Sequence, residues 1–171
     1  MRVRPVSADD DILEISGIYE RSWKCAYKGI VPQSFLDRIP EGKWAMHLGR
    51  EDMHHLVLEE AGRLIGTASC CASRWERFKG FGEIVSIYLL PEEIGKGKGA
   101  LLLRECLRLL AADGFERVML WVLEDNLPAR RFYEKQGFVF SGEHLDDEIG
   151  GKPLREAAYT CRTGAALVNK L

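Results

Sequence analysis

The sequence predicts an α/β domain in which helices pack on one mixed β-sheet. Three observations carry this. The chain has 171 residues, which fits a single domain over 1–171 and is long enough to bury a core. The spacing of apolar residues is helical across the first third and becomes strand-like from His55. The elements then run strand, helices, three strands, helix, strand, helix, two strands, an order that suits helices layered on one sheet.

Val3 to Val6 is a short apolar start and reads as a strand. Ser7 with Asp10 three residues on has the form of an acidic capping box. Ile12, Ile15, Ile18 and Tyr19 recur at helical spacing, so a helix is expected to about Cys25. Pro32 suits the start of a second helix, Gln33 to Ile39, and Glu41 to Arg50 reads as a third. His55 to Glu59 and Leu64 to Ser73 form a strand pair around the turn residues Ala61-Gly62, with His54-His55 marking the strand start. Phe81 to Leu90 is rich in β-formers and ends at Pro91. A helix follows to about Ala112, with Gly114 closing it. Val118 to Leu123 is a buried strand, and Pro128 to Gln136 a short helix stopped by Gly137. Phe138 to Ser141 and Glu156 to Arg162 read as a last antiparallel pair, separated by the polar loop HLDDEIGGKPL.

Composition narrows the function classes. The chain is 46% hydrophobic and 29% charged, the profile of a soluble globular protein. A net charge of -2 gives no basic footprint, so neither nucleic acid nor a membrane surface is an expected partner. No apolar run reaches the ~18 residues of a membrane span, and the N-terminus turns acidic where a signal peptide would be apolar. The cysteines are Cys25, Cys70, Cys71, Cys106 and Cys161, an odd count without a CxxC pair. They read as reduced thiols in a cytoplasmic protein, not as a disulfide framework or a zinc site. The histidines have no metal-like spacing, so no metal is expected.

The chemistry starts at PEEIGKGKG, residues 91–99, placed between a strand end and a helix start. Glycine costs roughly 1 kcal/mol against alanine inside a helix, so these glycines serve something other than helix stability. They permit positive φ and close approach to the backbone, and the first N–H groups of a helix lack partners. Gly95 to Gly99, with Lys96 and Lys98, therefore read as a phosphate or pyrophosphate cradle. The Walker A pattern fails, because Ala100 stands where its second glycine belongs. The Rossmann fingerprint fails at Leu102. A loop without a ligand remains the alternative at this point.

The segment NLPARRFYEKQGF, residues 126–138, changes the balance. Together with the glycine loop it resembles the GNAT superfamily of acyl-CoA-dependent N-acetyltransferases. Asn126, Ala129, Phe132, Tyr133, Lys135, Gly137 and Phe138 stand at the family's spacing after the strand VMLWVLE, and Gly97 and Gly99 match its [QR]xxGx[GA] loop. The matching core covers roughly residues 55 to 162. The resemblance implies a mixed, mostly antiparallel central sheet with helices on both faces. It implies acetyl-CoA as co-substrate and transfer of the acetyl group to a primary amine of a small molecule or peptide.

The resemblance also distributes roles. Tyr133 falls where the family's general acid stands, and Glu83 where many relatives carry a base that reaches the amine through water. Leu89 and Leu90 would run beside the pantetheine arm, where a backbone N–H polarises the acetyl carbonyl. Ile94, Gly95, Lys96, Gly97, Lys98, Gly99, Ala100, Asn126, Ala129 and Arg131 would complete the cofactor site. Ile94 departs from the family's Gln or Arg and removes one side-chain anchor; Lys96, Lys98 or Arg131 would compensate. Trp23, Tyr27 and Glu20 are the acceptor-side candidates, on the helices that roof the family's acceptor pocket. A homodimer is compatible with the family. A non-catalytic acyl-CoA sensor on the same fold is the rival reading.

Overall fold

The computed structural model describes residues 1–166. Its strands are β1 (Arg2–Pro5), β2 (His54–Glu60), β3 (Arg63–Ala72), β4 (Gly82–Leu89), β5 (Arg117–Leu123), β6 (Val139–Ile149) and β7 (Lys152–Arg162). They form one sheet in the order β1-β2-β3-β4-β5-β7-β6. Every pairing is antiparallel except β4 with β5. The helices are α1 (Ile12–Ala26), α2 (Gln33–Asp37), α3 (Ala45–Leu48), α4 (Gly99–Ala112), α5 (Leu127–Lys135) and α6 (Thr163–Ala166).

Helices cover both faces of the sheet, as the family resemblance implied. On one face α1 anchors through Tyr19, whose hydroxyl lies 3.0 Å from Ser86 Oγ and 3.2 Å from Ser69 Oγ. On the other face α4 lays Leu102, Leu103, Cys106 and Leu110 against the strands, all essentially fully buried. Gly66 and Gly82 sit directly under that helix: a Cβ on Gly66 would meet Leu89 and Leu102, and one on Gly82 would meet Leu110 at 3.0 Å. The close approach of helix to sheet therefore depends on those two missing side chains.

Three local expectations need correction. Ser7 and Asp10 do not cap α1. Asp11 is the N-cap and accepts from the N–H groups of Leu13 and Glu14, while Asp10 accepts from Ser7 N–H and from the Arg4 guanidinium at 2.7 Å. A carboxylate closer to the helical run outcompetes the box. The helix expected over Glu41 to Arg50 shrinks to Ala45–Leu48, since Gly42 takes φ 72° and starts a turn instead. The polar loop before Glu156 is the tip of a long hairpin in which β6 and β7 pair to Ile149↔Lys152, around a Gly150-Gly151 turn with both φ positive. Its strand character is hard to read in the sequence because β6 lies exposed on the sheet edge and carries few apolar residues.

The tip of this hairpin also reaches the helical layer. It docks on the α1–α2 connection, where Lys152 Nζ donates to the Ile30 carbonyl at 2.6 Å. Leu154 joins Val31, Leu36, Ile39 and Leu123 in a small second core, with Phe35 and Ile149 packed against it.

Candidate active site

The site arises where two parallel strands part. β4 and β5 pair only at Gly82↔Val118 and Glu83↔Met119. Directly after this, the β3–β4 register jumps from Cys70↔Ile84 to Ser69↔Ser86, so Val85 is an extra residue in β4. A bulge bends its strand, and β4 leaves β5 from there on. The edge of β4 from Ile84 to Leu89 is then without a strand partner on the β5 side. The opening is a cavity of about 800 Å³ lined from both strands, from α1 and α5, and from the glycine loop.

At one end lies the loop before α4. Gly95 and Gly97 have φ of 83° and 76°, a conformation that glycine takes without strain. The helix start has no side-chain cap, and the backbone N–H groups of residues 95–98 donate to no protein acceptor among the described residues. Ile94, Gly95, Gly97 and Gly99 all line the cavity. A Cβ on Gly99 would stand 3.4 Å from the Phe132 ring, an ordinary packing distance, so Phe132 of α5 lies beside the start of α4. The arrangement is a row of free donors at a helix N-terminus, which fits the pyrophosphate of a coenzyme A.

The lysines of this loop do something else. Lys98 Nζ donates to Glu60 and, at 2.8 Å, to Glu93; Lys96 Nζ donates to Glu93 at 3.1 Å. Neither lysine lines the cavity, nor do Ala100 and Leu90. Leu90 is instead a core residue, 4% exposed. The Glu93 carboxylate is held below its usual range by the two lysines. The lysines thus brace the loop from behind. Arg131, by contrast, lies on the cavity wall, as do Leu89 and Ala129.

Asn126 has two functions at once. Its Oδ1 caps α5 by accepting from Ala129 N–H at 3.3 Å, while the residue lines the cavity at 8% exposure. From α5 Tyr133 also lines the cavity, packed edge-on against Phe132 and Phe138. Its hydroxyl has no hydrogen-bond partner among the described residues. Burial, with smaller contributions from Tyr88 and Cys106, pushes its pKa upward, so the phenol keeps its proton at neutral pH.

Glu83 stands on β4 at the other end, 2% exposed. Both carboxylate oxygens are taken. Arg74 donates its backbone N–H at 3.0 Å, Nε at 3.1 Å and Nη2 at 2.7 Å, and Trp75 Nε1 donates at 3.1 Å. Trp23 and Tyr27 from α1 and its C-terminal end line the same region, where Trp23 Nε1 donates to the Tyr88 hydroxyl at 3.0 Å and the Tyr27 hydroxyl lies 3.3 Å from it. Glu20 does not reach the cavity. It is bound within the helical layer, accepting from Ser16 Oγ at 3.1 Å and from Gly42 N–H at 2.9 Å.

Several cavity residues carried no sequence signal. Arg74 and Trp75 sit in the β3–β4 connection, Tyr88 and Trp121 read as ordinary strand residues, and Glu156 lay at a strand start beside an expected loop. Only the pairing Leu123↔Glu156 brings Glu156 to the cavity. Among the described residues, no cluster of three or more His, Cys, Asp or Glu side chains has the arrangement of a metal site. No described helix is long and apolar enough to cross a membrane.

The site thus combines a mixed sheet that parts at a bulge with a helix start rich in free backbone donors. Residues 15–138 match the model of the acetyltransferase (GNAT) family. The chain belongs to that family. It is 30% identical over 154 residues to the uncharacterized N-acetyltransferase YuaI of Bacillus subtilis, covering 86% of this chain and 85% of that one. A mycothiol acetyltransferase of Mycobacteroides abscessus is 31% identical over 135 residues, which span 77% of this chain but 42% of that protein. Among solved structures, the PaiA N-acetyltransferase of Thermoplasma acidophilum in complex with coenzyme A has the same fold, with TM-score 0.70, 23% identity and 91% and 96% of the two chains covered. The smu.2055 structure from Streptococcus mutans superposes with TM-score 0.73 at 19% identity, covering 95% and 99%.

Proposed function

We propose that this chain transfers an acetyl group from acetyl-CoA to a primary amine of a small molecule or peptide, acting as one catalytic unit in the cytoplasm. The carrying observation is that one cavity joins a row of free backbone donors at residues 95–98 to a protonated Tyr133 and to acidic groups beyond it. Acetyl-CoA supplies the thioester acetyl group, and the pyrophosphate would accept from the loop N–H groups. The free edge of β4 near Leu89 would pair with the extended arm as an added strand does. Asn126 and Arg131 would contribute side-chain donors on the α5 side.

An amine near pKa ~10 is mostly protonated at neutral pH and must lose a proton before it attacks. Tyr133 then gives its phenolic proton to the departing sulfur and recovers one from the new amide nitrogen. Glu83 is one candidate for the first proton, through water. In that role it must release a hydrogen bond from Arg74 or Trp75.

Ile94, 49% exposed at the cavity mouth, favours a second reading, an acyl-CoA sensor with weakened pyrophosphate anchoring. Calorimetric titration with acetyl-CoA, with ATP and NAD as controls, tests the cofactor. Thiol release from acetyl-CoA in the presence of amines separates enzyme from sensor. The enzyme binds acetyl-CoA selectively and releases thiol only with an amine present; the sensor binds and releases none.

A further inference from the structure

Two carboxylates face the α1 side of the cavity, and they differ in one respect. Glu83 has four donors on its oxygens. Glu156, on β7, has no hydrogen bond and no ion pair among the described residues, although it is only partly exposed and lines the same cavity. Its cross-strand neighbours are Leu123 and Leu145. Leu123 stands opposite it on β5, Tyr27 interacts with it, and Trp121 and Ile149 line the same cavity. A lone carboxylate in such surroundings is unfavourable unless a cation joins it or it takes up a proton.

We propose that Glu156 receives the ammonium group of the acceptor and takes its proton. The inference rests on the acetyltransferase reading and names its missing partner: a primary ammonium carried on an apolar or aromatic stem. The stem fits against the rings of Trp23, Tyr27 and Trp121, and the charge meets a carboxylate that has no donor among the described residues.

Bonds and protons balance over the cycle. The ammonium N–H bond breaks, and its proton goes to Glu156, leaving a neutral amine. The amine nitrogen forms a C–N bond to the acetyl carbon, and the C–S bond of the thioester breaks. Tyr133 protonates the sulfur and is reprotonated from the amide nitrogen. Glu156 finally releases its proton to solvent, so one proton leaves per turnover.

The electrostatic setting suits that task. Burial and the neighbouring Asp147 of β6 push the Glu156 carboxyl up to about 7. Tyr27, at the end of α1, also interacts with it and stays neutral, its own pKa raised to about 12 by burial. The Arg74–Glu83 pair lines the same cavity and is internally compensated. A base poised near the working pH is the efficient kind.

The test measures thiol release from acetyl-CoA with 2-phenylethylamine, tryptamine, spermidine and an alanine-starting peptide, between pH 5.5 and 9.5. Wild type, Glu156→Gln, Glu156→Asp and Glu83→Gln are compared, with acetyl-CoA affinity measured for each. Glu156→Gln is expected to lose about 100-fold in kcat/KM on the best amine and to lose the rising limb of the pH profile. Acetyl-CoA affinity should stay within about twofold, which shows an intact fold, and Glu156→Asp should recover part of the rate. A Glu156→Gln protein that keeps both rate and limb, while Glu83→Gln loses them, overturns the inference and leaves the acetyltransferase reading standing. A wild-type protein that binds acetyl-CoA but releases no thiol with any of these amines overturns the acetyltransferase reading, and the inference falls with it.

Discussion

Arg74 and Glu83 face each other at the junction where β4 leaves β5, with Nη2 2.7 Å from Oε1 and Nε 3.1 Å from Oε2. The carboxylate is 2% exposed, while the arginine side chain keeps 41% of its surface. This bidentate geometry fixes the β3–β4 connection against β4 beside the last β4–β5 pair, at the end of the cavity away from the glycine loop. Breaking such a pair from one side leaves a buried carboxylate underprovided with donors. Arg74→Ala should therefore destabilise the protein by about 2–3 kcal/mol, discounted for the exposed arginine. Urea denaturation of Arg74→Ala, Glu83→Gln and the double variant checks this; the double variant should lose less than the sum of the two.

Tyr133→Phe removes a hydroxyl that bonds to no described residue, so stability should hardly change. Turnover should fall by roughly 100-fold, the usual scale for a lost proton donor, with acetyl-CoA affinity nearly unchanged. Steady-state kinetics alongside calorimetry checks it. Equal losses in turnover and affinity would instead assign the residue a packing role.

Gly97 and Lys98 are adjacent and should respond in opposite ways. Gly97→Ala forces a side chain into φ 76°, at a cost of about 1 kcal/mol, and disturbs the row of loop donors. Acetyl-CoA affinity should drop by about tenfold. Lys98→Ala removes a charge that is engaged by Glu60 and Glu93, outside the cavity. Its acetyl-CoA affinity should stay within about twofold, with the melting temperature lowered. Calorimetry and thermal unfolding on both variants read the contrast.

His47 gives the fold a defined acid sensitivity. Burial, followed by the neighbouring His55, lowers its pKa to about 4, so it is neutral in the native state at neutral pH. The unfolded chain binds that proton near pH ~6.5, well before the native protein does. Stability attributable to the neutral ring is complete above that pH and is lost as pH falls toward 4. His47→Gln should flatten the fall in melting temperature over that window. An unchanged slope would place the acid sensitivity elsewhere.

Much of this was legible in the linear chain because it depends on local chemistry. Apolar periodicity located most strands and the long helices, Pro91 ended β4, and Gly114 and Gly137 closed α4 and α5. The glycine loop and the Asn126-to-Phe138 segment pointed to the cavity because backbone conformation and helix starts are written in short stretches. Gly95, Gly97, Asn126, Ala129, Arg131 and Tyr133 all line it. Tertiary structure decided the rest. Lys96 and Lys98 turn to carboxylates contributed by Glu93 and, for Lys98, by Glu60 on β2. Glu20 of α1 accepts from Gly42 N–H, 22 residues further along the chain. Glu156 enters the site only because β7 returns beside β5. A charge takes its lowest-energy partner in space, whatever its sequence distance, so the roles of charged residues were set by the fold while the glycines and helix caps were set by the sequence.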